Sequence, residues 1–197
     1  MWLVGFIARV EETLLKLDII SNSPVIQRIK LRPCIQLLGE EYCSIPYHLR
    51  VYRDRKQLEY ERDHNPDMGM EYYSEILNGE NSTPTGICIS KEKKIKIFPF
   101  NMDPSSIQAL SVVYFTYHEL RHAWQHENGL FMGADETRPD QDISAYLNDD
   151  AEQDAYEFAK DKMNELQEQI LTILQIRLPE NVGLSWSNNY KIGKKEK

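Results

Sequence analysis

The sequence predicts an α+β domain, on three observations. A β-branched hairpin pattern lies between residues 85 and 98, an amphipathic helical stretch follows it, and a second long helical stretch comes after residue 150. With 197 residues the chain fits one domain with elaborations, long enough to bury a core without cross-links. Its 41% hydrophobic and 27% charged residues exclude disordered and low-complexity classes.

In order along the chain, Leu3 to Ile20 reads as one helix. Its amphipathic section is Val10-Glu11-Glu12-Thr13-Leu14-Leu15-Lys16-Leu17, and Ser21-Asn22-Ser23-Pro24 closes it. The apolar run Trp2 to Ala8 has no basic region before it and is read as structural rather than as a targeting segment. Val25 to Leu38 fits helix or strand equally. Leu49 to Tyr52 reads as a short strand, and the charged stretch Asp54 to Asp67 receives no assignment. Asn78 to Pro84 is a loop by composition. Thr85 to Ser90 and Lys94 to Phe98 alternate apolar residues at every second position, with Lys91-Glu92-Lys93 between them, which predicts a hairpin.

A helix is then expected from Asp103-Pro104, with Asp as cap and Pro at the first helical position, to Asn128-Gly129. Gly129 to Leu147 is a polar, acidic connection. Asn148-Asp149-Asp150 offers capping side chains for a last helix from Ala151 to Arg177, ended by Pro179. Residues 1–190 thus read as one domain whose first 80 residues are an elaboration of unassigned role. The basic tail, 191–197, is expected to fray.

The formal net charge of −8 does not match a nucleic-acid binder, and no apolar run approaches the roughly 20 residues of a membrane span. Cys34, Cys43 and Cys88 have neither CxxC spacing nor an even count. They are expected as free thiols in a reducing, cytoplasmic setting, where the Asn81-Ser82-Thr83 glycosylation pattern carries no weight.

The chemistry lies in His118-Glu119-Leu120-Arg121-His122, an HExxH motif. With 5 His and 19 Glu in the chain, such a pattern arises by chance about 0.01 times. Four residues apart on a helix, the two imidazoles are neighbours on one face and can bind one zinc ion. Glu119 lies close enough to take a proton from water on that ion. The phase supports this. Leu110, Val113, Tyr117, Leu120 and Trp124 fall about 80–180° from the two histidines, so an apolar stripe docks the helix while the histidines face a cleft. A pair of surface histidines on an ordinary amphipathic helix is the alternative.

A zinc peptidase needs a third protein ligand and an open position for water. Residues 135–168 hold 12 acidic residues against 3 basic ones, so the choice rests on helix phase. Glu152 lies within about 60° of Ala155, Ala159, Met163, Leu166, Ile170, Ile173, Leu174 and Arg177, on the inward stripe. A carboxylate there is costly unless paired or bound to metal, which makes Glu152 the expected third ligand. The other reading of Glu152 is a solvated first-turn acid favoured by the helix dipole. Asp150, Asp154 and Glu157 point about 140–200° away from it. Asp149 is the expected acceptor for the second N–H of a ligand histidine.

HELRH, followed thirty residues after His122 by Glu152-Gln153-Asp154-Ala155-Tyr156-Glu157-Phe158-Ala159, resembles the gluzincin pattern of HExxH and then ExxA. It is similar to the compact bacterial and phage zincins of the ImmA/IrrE type and to uncharacterised zincin-like families of Gram-positive bacteria and their phages. The resemblance covers about residues 85–160. It implies a minimal zincin fold, with the hairpin supplying an edge strand beside the active-site helix. The sequence departs from the family at Tyr156, where many gluzincins carry Asp or Asn to orient a histidine.

Tyr146 and Tyr156 are candidate oxyanion donors. His126 lies one turn beyond His122, while His48 and His64 have no supporting spacing. The expected function is zinc-dependent hydrolysis of a peptide or protein substrate, with zinc on His118, His122 and Glu152 and with Glu119 as general base. No nucleic-acid or membrane partner is expected, and the oligomeric state is not readable. The alternative is a zincin-like binding or regulatory protein without peptidase activity. A purely structural zinc would need a fourth protein ligand, and no cysteine lies near the motif.

Overall fold

A computed structural model describes residues 16–78, 83–131, 149–178, 183–186 and 192–195. The architecture is α+β. Strands β1 (Asp18–Ser21), β2 (His48–Val51), β3 (Gly86–Ile89) and β4 (Lys94–Ile97) form a mixed sheet in the order β1-β2-β4-β3. The pairs β1/β2 and β2/β4 are parallel, and β3 joins β4 antiparallel as the expected hairpin. Register places Ile19, Leu49, Ile95 and Cys88 in one row across the sheet.

The helix expected over Leu3 to Ile20 is corrected at its described end, since Asp18–Ser21 is a strand. Ile19 is buried and Ile20 exposed, so the two-residue alternation of a half-covered strand prevails there over the helical pattern. The remainder of that segment, Leu3 to Leu15, lies outside the described residues.

The ambiguous stretch Val25 to Leu38 folds as helix α1 (Arg28–Gln36), which buries Leu31, Cys34 and Ile35. Gly39, at φ 94°, makes a turn that residues with a side chain rarely adopt, and the single helical turn α2 (Glu40–Cys43) follows. The unassigned charged stretch supplies α3 (Arg55–His64), capped by Asp54, which accepts from the Gln57 N–H at 3.0 Å. It is followed by α4 (Met70–Asn78).

These two helices cover the sheet face opposite the main core. Tyr52, Leu58, Tyr73, Ile76 and Phe98 form a second apolar cluster there. Within it Lys96 is buried and donates to Glu61 Oε1 at 2.5 Å and to Asp67 Oδ1. Glu61 Oε2 also accepts from Tyr52 at 2.6 Å and Arg50 at 2.9 Å, so each buried charge is paired.

Helix α5 (Gln108–Glu127) lies over the main core face. It begins later than Asp103-Pro104 predicts. The Gln108 side chain donates to the Pro99 carbonyl at 2.9 Å, tying the helix start to the turn after β4, so residues 103–107 serve as the approach. Its end is as expected. Gly129, at φ 66°, donates to His126 O and Leu130 donates to Gln125 O, closing the last turn.

The predicted final helix is two helices, α6 (Asp150–Glu165) and α7 (Gln167–Leu174), joined at Leu166. Leu166 is buried, and the bend keeps Ile170 and Leu174 directed into the core beside α1. There the Lys30 ammonium donates to Leu174 O at 2.9 Å. The stripe stops short of Arg177, because Gln175 leaves the helix at φ 60°. Pro179 lies outside the described residues.

Strands β5 (Gly183–Trp186) and β6 (Ile192–Lys195) pair antiparallel, so part of the basic segment expected to fray is ordered as β6. Trp186 stacks on Tyr114 with ring centres 5.0 Å apart. The three cysteines are free thiols, and burial pushes the Cys34 thiol up to about 12. No helix among the described residues is long and apolar enough to cross a membrane.

Candidate metal centre

Helix α5 carries both histidines and α6 carries Glu152. The two helices pack against each other, with Ala155 and Ala159 placing small side chains on the buried face of α6. Asp149 caps α6 by accepting from the Ala151 N–H at 2.9 Å and the Glu152 N–H at 3.2 Å, which fixes where Glu152 emerges.

The result brings the three predicted ligands together. His118 Nε2 and His122 Nε2 are 3.1 Å apart. Glu152 Oε2 lies 3.3 Å from His118 Nε2, and Glu152 Oε1 lies 3.3 Å from His122 Nε2. A tetrahedral zinc with bonds of about 2.0–2.1 Å separates its ligand atoms by about 3.3 Å, so this donor set fits the ion. Glu152 Oε2 is buried and has no hydrogen-bond partner, as suits an oxygen reserved for a cation. Among the described residues these three make the one group of His, Cys, Asp and Glu side chains able to hold a metal.

The electrostatics run the same way. Burial favours the neutral Glu152 acid, but His122 and His118 outweigh it and hold the carboxyl well below the usual range. Burial lowers His118, and the neighbouring His122 adds to that. Burial also acts to lower His122, yet the charge of Glu152, with help from Glu119 and Gln125, pushes it up to about 9. The Glu152 carboxylate is thus held ionised beside the two imidazoles.

Glu119 is buried on the same helix, and desolvation pushes its carboxyl up to about 8. Its position depends on Gly86 of β3, where a Cβ would stand 2.7 Å from Glu119 Oε1 and 2.9 Å from its Cγ. The edge strand therefore passes directly over the candidate base. Sequence reading overlooked Gly86, although a glycine inside a strand pattern marks close approach of another group.

Two further expectations are corrected. The acceptor beside His122 is Gln125 rather than Asp149, with Oε1 at 2.9 Å from Nδ1, because the Asp149 carboxylate is engaged at the helix start. Gln125 was legible in principle, being three residues on from His122 along one helix face. Asp154 does not simply face away. It pairs with Arg121 at 2.6 and 3.1 Å and accepts from Gln125 Nε2 at 2.7 Å.

Tyr156, at the departure from the family pattern, lays its ring 4.0 Å from that of His118, centre to centre. Of the two histidines expected to face a cleft, His118 is buried and His122 is half-buried. His126 is exposed, and Tyr146 lies outside the described residues. His48 pairs with Asp18 at 3.4 Å and His64 stacks on Tyr60, both on other parts of the molecule. Comparison with protein-family models, curated proteins and solved structures finds no match for this chain.

Proposed function

We propose that this chain is a zinc-dependent peptidase of the gluzincin kind, with zinc on His118, His122 and Glu152. The observation that carries the reading is the 3.1–3.3 Å spacing of the three donor groups, with Glu119 beside them. A zinc ion held there would supply Lewis acidity, polarising a peptide carbonyl and making a water acidic enough to lose a proton.

The chain's own residues do the rest. Glu119, in its ionised form, accepts the proton of the attacking water and passes it to the leaving amine. Gly86 leaves room for that carboxylate next to β3. Among the described residues β3 has a neighbour only on its β4 side, so an extended substrate can add to its free edge and lie across Glu119.

The test uses purified protein loaded with zinc and incubated with an unfolded protein substrate. Wild type should bind one zinc per chain and cleave. His122→Ala should lose stoichiometric zinc, and Glu119→Gln should keep zinc while losing cleavage. Stoichiometric zinc without cleavage of any unfolded substrate would favour a binding or regulatory protein instead.

A further inference from the structure

His122 is held by a chain of polar contacts that reaches well beyond the candidate ligands. Its Nδ1 meets Gln125 Oε1 at 2.9 Å. On the other side of the same amide, Gln125 Nε2 donates to the Ala151 carbonyl at 3.0 Å and to Asp154 Oδ2 at 2.7 Å. Asp154 is itself gripped by Arg121, whose Nε and Nη2 donate to its two oxygens. The Arg121 guanidinium donates its remaining Nη1 to Tyr42 OH at 2.8 Å and lies 4.2 Å from the centre of the Trp124 ring.

The direction of these bonds has one solution. Ala151 O and the Asp154 carboxylate can only accept, so the amide must turn its NH₂ towards them. That leaves its carbonyl oxygen, also only an acceptor, facing His122 Nδ1. A neutral His122 therefore carries its hydrogen on Nδ1 and presents its Nε2 lone pair towards His118 Nε2 and Glu152. Reversing the amide would set its oxygen against two acceptors. Because Gln125 is buried, water cannot relieve that clash.

We propose that Gln125 is the positioning residue that selects the metal-binding tautomer of His122, and that the Arg121–Asp154 pair locks the Gln125 amide in the required orientation. This rests on the zinc-site reading above. It also gives part of the first 80 residues a place at the site, because Tyr42 of α2 braces Arg121.

The test compares zinc affinity, by competition with a chelator, in wild type, Gln125→Leu, Gln125→Glu and the double variant Gln125→Glu with Asp154→Asn. Gln125→Leu should bind zinc about 10- to 100-fold more weakly, the usual range for losing a ligand's hydrogen-bond partner. Gln125→Glu alone sets two carboxylates side by side and should bind weakly as well. Adding Asp154→Asn supplies an amide donor to the new carboxylate and should recover part of the affinity, the contact with the Ala151 carbonyl staying unfavourable.

The accompanying readout is the imidazole ¹⁵N spectrum of the zinc-loaded protein. His122 should show a slowly exchanging Nδ1–H in wild type, lose it in Gln125→Leu and regain it in the double variant. A loss of packing alone would give no such recovery. Stoichiometric zinc in wild type, with unchanged affinity and Nδ1–H signal in Gln125→Leu, would overturn the role of Gln125 alone. A double variant no better than Gln125→Glu would overturn the lock. Absence of zinc from wild type would overturn the metal reading and this proposal together.

Discussion

At the scale of single residues, Gly86 makes the sharpest demand on the neighbouring chemistry. A methyl group there would meet Glu119 at both Oε1 and Cγ, so the carboxylate cannot escape by moving its tip alone. Under the proposed function, Gly86→Ala should lower peptide cleavage by about 100-fold, the cost of misplacing a reacting group by about 1 Å. Zinc content should stay at wild-type level, because no ligand is touched. Measuring rate and zinc on one preparation checks this, and a fully active Gly86→Ala protein would refute it. The grouping of His118, His122 and Glu152 was readable in the sequence. A four-residue histidine spacing and the inward phase of Glu152 are local consequences of helix geometry. Gln125 and the orientation of Asp154 were not readable in that way. Their roles depend on how α6 is set against α5, and no single-helix projection contains that information.

Elements follow the same division. The hairpin of β3 and β4, the short β2 strand and the long α5 helix come from patterns of period two or 3.6 within one segment. Helix α3 escaped notice because one of its two buried residues is Glu61, a charge where a periodic pattern expects an apolar residue. Its burial makes sense only once Lys96, from a distant strand, lies beside it. The bend at Leu166 is likewise decided by what α7 packs against rather than by a helix-breaking residue. Between α5 and α6 the small Ala155 and Ala159 side chains are fully buried. Ala159→Leu should therefore force the helices apart and cost about 1–3 kcal/mol in urea unfolding. It should also weaken zinc binding, because Glu152 rides on the displaced helix. A variant matching wild type in both measurements would show that this interface has slack.

For the whole molecule, the buried charge cluster on the far side of the sheet predicts an acid response independent of the metal centre. Burial acts to raise Asp67, but Lys94 and Lys96 outweigh it and hold its carboxyl down to about 2. The depressed value means that this stabilisation is complete above the unfolded carboxylate pKa of about 3.9 and disappears as pH falls from about 4 to about 2. Stability of wild type should drop through that interval, and Asp67→Asn should flatten the drop. An equally steep decline in Asp67→Asn would place the acid sensitivity elsewhere. A last consequence comes from the burial of α5, where Val112, Val113, Tyr117, His118 and Leu120 are all inaccessible. Backbone amides there have no route to solvent short of opening the entire core. Their hydrogen–deuterium exchange should be the slowest in the protein and equally slow with zinc or with a chelator present. In contrast to small domains that fold only around their ion, this helix would then hold its two histidines in register whether or not an ion is bound.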